Sequence, residues 1–213
     1  MYTHRTYRTA EQGFSLIELM VTVGILSLIT GLVLTNHNKF GGQILLRTLA
    51  YDMALTIRQA QTYGISVRRT NESINTFSTG YGMHFTSSSF TTYSMFSDTY
   101  KIVGGIPTLV LANEAGNSIY DTSNENVQVF TIGRGYKIKD LCATNAAGGE
   151  VCNSVSSGVT SLDIVFKRPE PDAEIRINGA TTPVYRQAKI LLTSPRGDVR
   201  TILVEVSGQI SVQ

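Results

Sequence analysis

The most prominent hydrophobic pattern in the sequence is an apolar run over residues 14–34 that contains a single ionisable side chain, Glu18. Residues 1–13 before it are polar and carry arginines. As an α-helix rising about 1.5 Å per residue, the run spans about 31 Å, which matches a bilayer hydrocarbon core of about 30 Å. The positive-inside bias places the N-terminus in the cytoplasm. The pattern therefore predicts one membrane-spanning helix over residues 14–36, with the rest of the chain exported.

A second pattern follows, in which apolar residues recur at spacings of three and four. These residues are Leu46, Leu49, Met53, Ile57, Ala60, Gly64 and Val67. The spacing predicts an amphipathic helix over residues 37–69 with one buried and one wet face. Gly41 and Gly42 lie near its start, and glycine in a helix interior costs about 1 kcal/mol relative to alanine. We therefore expect a hinge or local melting at this pair.

From residue 70 onward the sequence changes to short β-prone runs separated by Gly, Ser, Asn and Asp. Their composition and partial alternation predict strands. The predicted strands are residues 81–85, 91–96, 127–132, 162–167, 174–177, 189–192, 201–206 and 209–212. Turn-forming residues at 195–198 and 207–208 predict an antiparallel meander at the end of the chain. The predicted fold is α+β, with one long N-terminal helix packed on an antiparallel β-sheet head that comprises residues 70–213.

Composition narrows the class of protein. Hydrophobic residues make up 42% of the 213 residues, which excludes a disordered chain, and charged residues only 16%. The charged share is well below the roughly 25% of ordinary soluble domains. A net charge of +2 is too small for a dedicated polyanion binder.

Glu18 distinguishes the apolar run from an ordinary signal or anchor. A cleaved secretory signal has an apolar core of about 7–15 residues and a small-residue cleavage site. This run is longer, and residues 35–42 after it offer no such site. A plain anchor explains everything except Glu18, since an unpaired carboxylate in the membrane costs on the order of 2–3 kcal/mol. The sequence therefore predicts a cationic partner for Glu18.

The segment GFSLIELM at residues 13–20 resembles the processing motif of type IV prepilins and type II secretion pseudopilins. The resemblance implies that residues 1–13 are a leader, that a prepilin peptidase and N-methyltransferase cuts after Gly13, and that Phe14 becomes the methylated N-terminus. It also implies a role for Glu18 in assembly with other pilins or pseudopilins in the inner membrane. The new α-amino cation of Phe14 could pair with Glu18 within one chain. Pairing between staggered neighbours would instead set the axial register of a filament.

Two further segments resemble the GspH/FimT family of minor pseudopilins. They are the helix LRTLAYDMALTIRQAQTYGISVR at residues 46–68 and the closing meander LLTSPRGDVRTILVEVSGQISV at residues 191–212. Major pilins commonly have a proline in the second half of the helix, but here none precedes Pro107. The resemblance implies a structural minor pseudopilin of a type II secretion system, with a periplasmic or otherwise extracytoplasmic head. A minor pilin of a type IV pilus or competence system is the alternative, because both systems share the motif.

Cys142 and Cys152 bracket residues 143–151, which we expect to be a flexible stretch. The exported side of the membrane permits a disulfide. Closing this loop would stabilise the fold by roughly 2.5–3 kcal/mol on the entropic model. Two free thiols or a metal site are the alternatives, and two thiols alone make an incomplete site. The sequence favours the disulfide, with no metal and no cofactor.

The residues offer no constellation that indicates an enzyme. His84 is the only histidine of the predicted head, and we interpret it as a strand residue. Asp163, Asp172 and Glu174 are interpreted as carboxylates on exposed strand faces. The Gly-Arg-Gly sequence at residues 133–135 is too short for a phosphate loop and is interpreted as a turn. We predict a protein without catalytic activity.

A DNA-binding module is the rival interpretation. The segment from Lys167 to Arg200 contains seven basic residues and four acidic ones. The basic residues are Lys167, Arg168, Arg176, Arg186, Lys189, Arg196 and Arg200. A basic edge of this kind could hold phosphates, with Arg196 and Arg200 as the candidate contacts. Solvated strand faces explain the same residues, and the excess of charge is small. The sequence therefore favours a protein that does not bind nucleic acid.

Overall fold

The structure is a computed structural model. It describes residues 13–66, 79–110, 116–156, 158–180, 182 and 184–213. The leader before Gly13, the apolar residue Val67 and the expected boundary at residues 69 and 70 lie outside the described residues. The chain divides into two compact units, residues 1–41 and residues 42–213.

One long helix, α1 (Leu16–Ile65), contributes residues to both units. Its helical turns continue through Gly41 and Gly42, so the local melting expected at this pair is not observed. In the first unit, residues 16–34 are exposed along their whole length. In the second unit, one face of α1 is buried against β-sheets. The predicted stripe is confirmed from Leu46 to Gly64, and Ala50 and Ala54 extend it.

The second unit contains two five-stranded antiparallel sheets and a small hairpin. The strands among the described residues are β1 (Tyr81–Thr86), β2 (Thr92–Ser97), β3 (Tyr100–Val103), β4 (Ile106–Leu109), β5 (Asn126–Thr131), β6 (Lys137–Asn145), β7 (Glu150–Cys152), β8 (Ser161–Phe166), β9 (Ala173–Ile177), β10 (Tyr185–Thr193), β11 (Val199–Glu205) and β12 (Ile210–Val212). The first sheet has the order β5-β2-β1-β8-β9, and the second has the order β12-β11-β10-β6-β7. Strands β3 and β4 form the hairpin. The predicted α+β fold, with a helix packed on antiparallel sheets, is confirmed.

The core of the second unit lies between the apolar face of α1 and the inner faces of both sheets. Met53 and Ile57 of the helix are fully buried there together with Met83 and Phe85 of β1. Because side chains alternate across a strand, His84 lies on the opposite, outer face of the first sheet. The outer face carries His84 beside the buried apolar side chains of Phe96 and Val165, which do not belong to the main core.

All eight predicted strands are present, and the closing meander β10-β11-β12 is antiparallel as predicted. Four strands, β3, β4, β6 and β7, were not predicted. The expectation of a flexible stretch between the cysteines is wrong. Residues 142–152 belong to the β6–β7 hairpin, in which Cys142 pairs directly with Cys152. Backbone pairing to β10 orders this segment, although its own sequence has little apolar alternation.

Candidate processing and assembly site

The predicted cleavage position lies immediately before the helix. Gly13 and Phe14 precede the first residue of α1, and Phe14 is 78% exposed. A Cβ built on Gly13 would meet no atom of the described residues within 4 Å. No part of the chain from residue 13 onward that the structure describes therefore covers the predicted scissile bond.

Ser15 caps the start of α1. Its hydroxyl oxygen accepts a hydrogen bond from the backbone N–H of Glu18 at 3.3 Å, and its carbonyl oxygen accepts one from Leu19 at 3.2 Å. Ser15 and Glu18 thus have the Ser-x-x-Glu spacing of a capping box. The spacing was available in the sequence, but its capping role was not recognised there. A carboxylate in the first turn is also favoured by the positive end of the helix dipole.

The apolar segment Leu16–Leu34 has a mean hydropathy of 2.2 and is not buried against any part of the described chain. Its two threonines complete their hydrogen bonds within the helix, Thr22 to the carbonyl of Leu19 at 2.9 Å and Thr30 to that of Leu26 at 2.7 Å. By length and composition the segment can cross a membrane. Glu18 is its single ionisable residue.

The two cysteines form the predicted disulfide, Cys142–Cys152. Both residues are buried, at 4% and 9% exposure. The carboxylate of Asp140 lies within 4.8 Å of the sulfurs, but it accepts hydrogen bonds from the backbone N–H and the hydroxyl of Ser154. Because the sulfurs are joined and the carboxylate already has partners, these three residues do not form a metal site in this state.

Arg196 lies in the turn between β10 and β11, Arg200 is the second residue of β11, and both are exposed. The turn is closed by a hydrogen bond from Ser194 N–H to the carbonyl of Asp198 at 2.9 Å. Several of the basic residues of this region pair with carboxylates. Among the described residues, these pairs include Lys167 with Asp98 at 3.3 Å, Arg176 with Glu174 at 3.1 Å and Lys189 with Glu150 at 2.6 Å. The pairing weakens the positive field expected at this edge.

The interpretation of Asp163 as an exposed carboxylate is wrong. Its side chain is 1% exposed and lies 2.6 Å from Nδ1 of His84. The partners occupy facing positions on β1 and β8, and the ring of Tyr120 stacks on His84 at 4.2 Å. Burial raises the pKa of Asp163, and the hydrogen bond and charge of His84 oppose that effect. Asp172, in contrast, is exposed as expected, and Glu174 is half-exposed.

A second buried carboxylate, Glu125, joins the loop before β5 to the base of the β3–β4 hairpin. It accepts backbone N–H groups from Thr99 at 3.0 Å, Tyr100 at 2.8 Å and Asp121 at 2.8 Å. Burial raises the pKa of Glu125 to about 7. The three hydrogen bonds of Glu125 hold the backbone of the loop and the hairpin together, whereas Asp163 pairs with a side chain.

The N-terminal segment is the part of the chain for which known proteins provide a match. A family model described as the prokaryotic N-terminal methylation motif matches residues 8–34. No curated protein and no solved structure shows significant similarity to the chain. The matched residues include Gly13, Phe14 and Glu18, followed by the exposed apolar helix. The chain is therefore type IV prepilin-like, and the motif indicates a structural, membrane-anchored pilin that assembles with other pilins in a filament.

Proposed function

We propose that the protein is an H-like minor pseudopilin of a type II secretion system, inserted in the inner membrane with its N-terminus in the cytoplasm. The main support for this proposal is the methylation motif, which lies at the start of an exposed apolar helix in a chain that also has a β-rich head. The resemblance of residues 46–68 and 191–212 to the GspH/FimT family supports the more specific assignment. A minor pilin of a type IV pilus or competence system is the alternative role.

The exposed face of α1 in the second unit supports assembly through lateral contacts. Ile44, Tyr51 and Leu55 are 63%, 46% and 61% exposed. Together with Thr48 they recur at spacings of four, three and four, so they share one side of the helix. Three apolar side chains are thus exposed among the polar residues of this side, opposite the face that the sheets cover. This side is suited to pack against helices of neighbouring subunits.

In the proposed mechanism, a membrane peptidase cuts after Gly13 and methylates the new amine of Phe14. Methylation to a secondary amine preserves the positive charge. Glu18 of one subunit then pairs with Phe14 of a neighbour, because an ion in lipid is strongly destabilised without a partner. Subunits held in this register are extracted from the membrane into a helical bundle, and their heads lie on its surface.

Mass spectrometry of the membrane-extracted protein tests the processing step. We expect a mature chain that begins at N-methylated Phe14. Replacement of Gly13 by a bulky residue should leave the leader attached, and a conservative change at Ser15 provides the control, since it leaves the cleavage residue in place. A native chain that retains Met1, or one that starts beyond residue 30, would refute the pilin assignment.

The choice between secretion system and pilus is tested genetically. Deletion of the gene should abolish secretion of type II substrates while leaving pilus-dependent motility and DNA uptake intact. Cross-linking in native membranes should capture other pseudopilins. Loss of piliation or DNA uptake with normal secretion would instead select the alternative role.

A further inference from the structure

Lys167 and Asp98 meet across a strand to which neither belongs. Asp98 follows β2, Lys167 follows β8, and β1 lies between these strands in the first sheet. The lysine Nζ lies 3.3 Å from Oδ2 of Asp98, whose side chain is fully buried, while the lysine side chain is 19% exposed. The pair therefore bridges two strands over the outer face of a third.

Glycines leave the space that this crossing needs. A Cβ on Gly80 would lie 2.8 Å from Cγ of Lys167, and a Cβ on Gly116 would lie 2.0 Å from Cγ of Asp98. A side chain at the first position would obstruct the lysine stem, and one at the second would displace the carboxylate. The local sequence thus accommodates close contact between the amine and the acid.

The two oxygens of Asp98 have different surroundings. Oδ2 accepts a hydrogen bond from the backbone N–H of Ser118 at 2.9 Å and faces Lys167. Oδ1 is buried and accepts no hydrogen bond within the described part of the chain. Burial raises the pKa of Asp98, opposed by the charge of Lys167 and by the N–H of Ser118. A buried acid with one unsolvated oxygen favours the uncharged form, whose carbonyl carbon accepts a nucleophile.

Ser118 connects the amine to a third ionisable group. Its hydroxyl oxygen lies 2.5 Å from Nζ of Lys167, and the hydroxyl also donates to Oε2 of Glu174. Burial alone would raise the pKa of Glu174, but the Ser118 hydrogen bond and the charges of Lys167 and Arg176 lower it overall. Glu174 is therefore a carboxylate that can accept a proton from the lysine through the serine hydroxyl.

We propose that Lys167 and Asp98 condense to form an amide bond within the head. The Nζ amine, after passing one proton through Ser118 to Glu174, attacks Cγ of Asp98, and a new C–N bond forms. Glu174 returns this proton to the Asp98 carboxylate, which makes the attacked acid neutral. The C–O bond to one carboxyl oxygen breaks, and that oxygen leaves as water with the returned proton and one proton from the attacking amine. The ammonium and the carboxylate are together converted to a neutral amide and one water, so no oxidant or further reactant is needed. Fixed proximity of the reacting groups supplies the main rate advantage.

The intact mass of the mature chain, extracted from membranes and then reduced and denatured, tests this proposal. We expect a mass lower by one water than the processed sequence requires. Tryptic digestion should yield a branched peptide that joins the segments containing Asp98 and Lys167, uncut after the lysine. Formation of a succinimide at an aspartate loses the same mass but gives no branched peptide, so that outcome would overturn the proposal, as would the full uncondensed mass.

Two variants separate the chemistry from the fold. Lys167→Arg keeps a cation against Asp98 but removes the nucleophile, and we expect this chain at the uncondensed mass. Glu174→Gln leaves the lysine and the aspartate in place but removes the proton acceptor, and we expect a slower reaction seen as a mixture of both masses. Complete condensation of Glu174→Gln at the native rate would overturn the assigned role of Glu174. Loss of water in Lys167→Arg would overturn the bond itself.

Discussion

Gly64 lies where α1 meets the backbone of β8, and alanine at this position measures how close that contact is. A Cβ on Gly64 would lie 2.3 Å from the carbonyl oxygen of Phe166 and 2.8 Å from its carbonyl carbon. These atoms belong to the strand backbone, so they cannot rotate away as a flexible side chain can. Overpacking of a well-packed core costs about 1–3 kcal/mol, and occasionally more. We therefore expect Gly64→Ala to destabilise the head.

Gly42 provides a matched control in the same helix. A Cβ there would meet only the hydroxyl of Tyr136, at 4.0 Å. Alanine improves helix propensity by about 1 kcal/mol at either position, so this contribution cancels when the two variants are compared. We expect the free energy of unfolding of Gly64→Ala to lie about 1–3 kcal/mol below that of Gly42→Ala.

Denaturant unfolding of the detergent-solubilised full chain, followed by circular dichroism, measures this difference. Gly42→Ala should be more stable than the native chain, and Gly64→Ala less stable by the amount that its clash exceeds the helix-propensity gain of about 1 kcal/mol. If Gly64→Ala is as stable as Gly42→Ala, or more so, the helix and strand are further apart than the structure indicates. That result would refute close packing between α1 and β8 at Gly64.

Three further predictions follow from charges and covalent links. Glu18→Ala should be processed and accumulate in the membrane but join filaments poorly, because the amine of a neighbour's Phe14 loses its partner; native filament levels in a shear assay would refute the pairing. Glu125, whose pKa is raised from 4.5 to about 7, binds a proton in the folded state that the unfolded state releases, so its contribution to stability is full below pH 4.5 and is lost as the pH rises through about 7. Unfolding of Glu125→Gln should lack this part of the pH dependence, and equal pH profiles would contradict the assignment. Replacement of both Cys142 and Cys152 by serine should lower the free energy of unfolding by roughly 2.5–3 kcal/mol, and an unchanged denaturation midpoint would show that the disulfide does not constrain the unfolded chain.

Features that depend on neighbouring residues could be predicted from the sequence. The apolar run, the helical stripe and the turn at Arg134 and Gly135 are local patterns, and each is present in the structure. The processing motif is equally local, since Gly13, Phe14 and Glu18 lie within two turns of one another. The eight predicted strands were recognisable because they combine β-prone residues with flanking turn residues.

Features that depend on distant partners could not be predicted. Asp163 is buried because His84, from a different strand, provides its partner. Strand β6 contains Lys137, Lys139 and Asp140, which resemble a surface loop in sequence. Asp140 is nevertheless buried, because its carboxylate bonds to Ser154 and to the backbone of β6 itself. Long-range pairing, rather than local propensity, determines these positions.

Helix α1 lies early in the sequence, and two of its side chains contact the backbone at or next to β12, the last strand. Arg58 donates to the carbonyl of Ile210 at 3.1 Å, and Gln61 donates to that of Gly208 at 3.0 Å. Because α1 precedes β12 in the chain, these contacts form only after β12 has been synthesised. Pairings of such long sequence separation fold slowly, because a large loop must close before any contact forms. The strands of the first sheet end at β9 and precede β10 in the chain, so the part of the α1 face that the second sheet covers is the last to gain its partner.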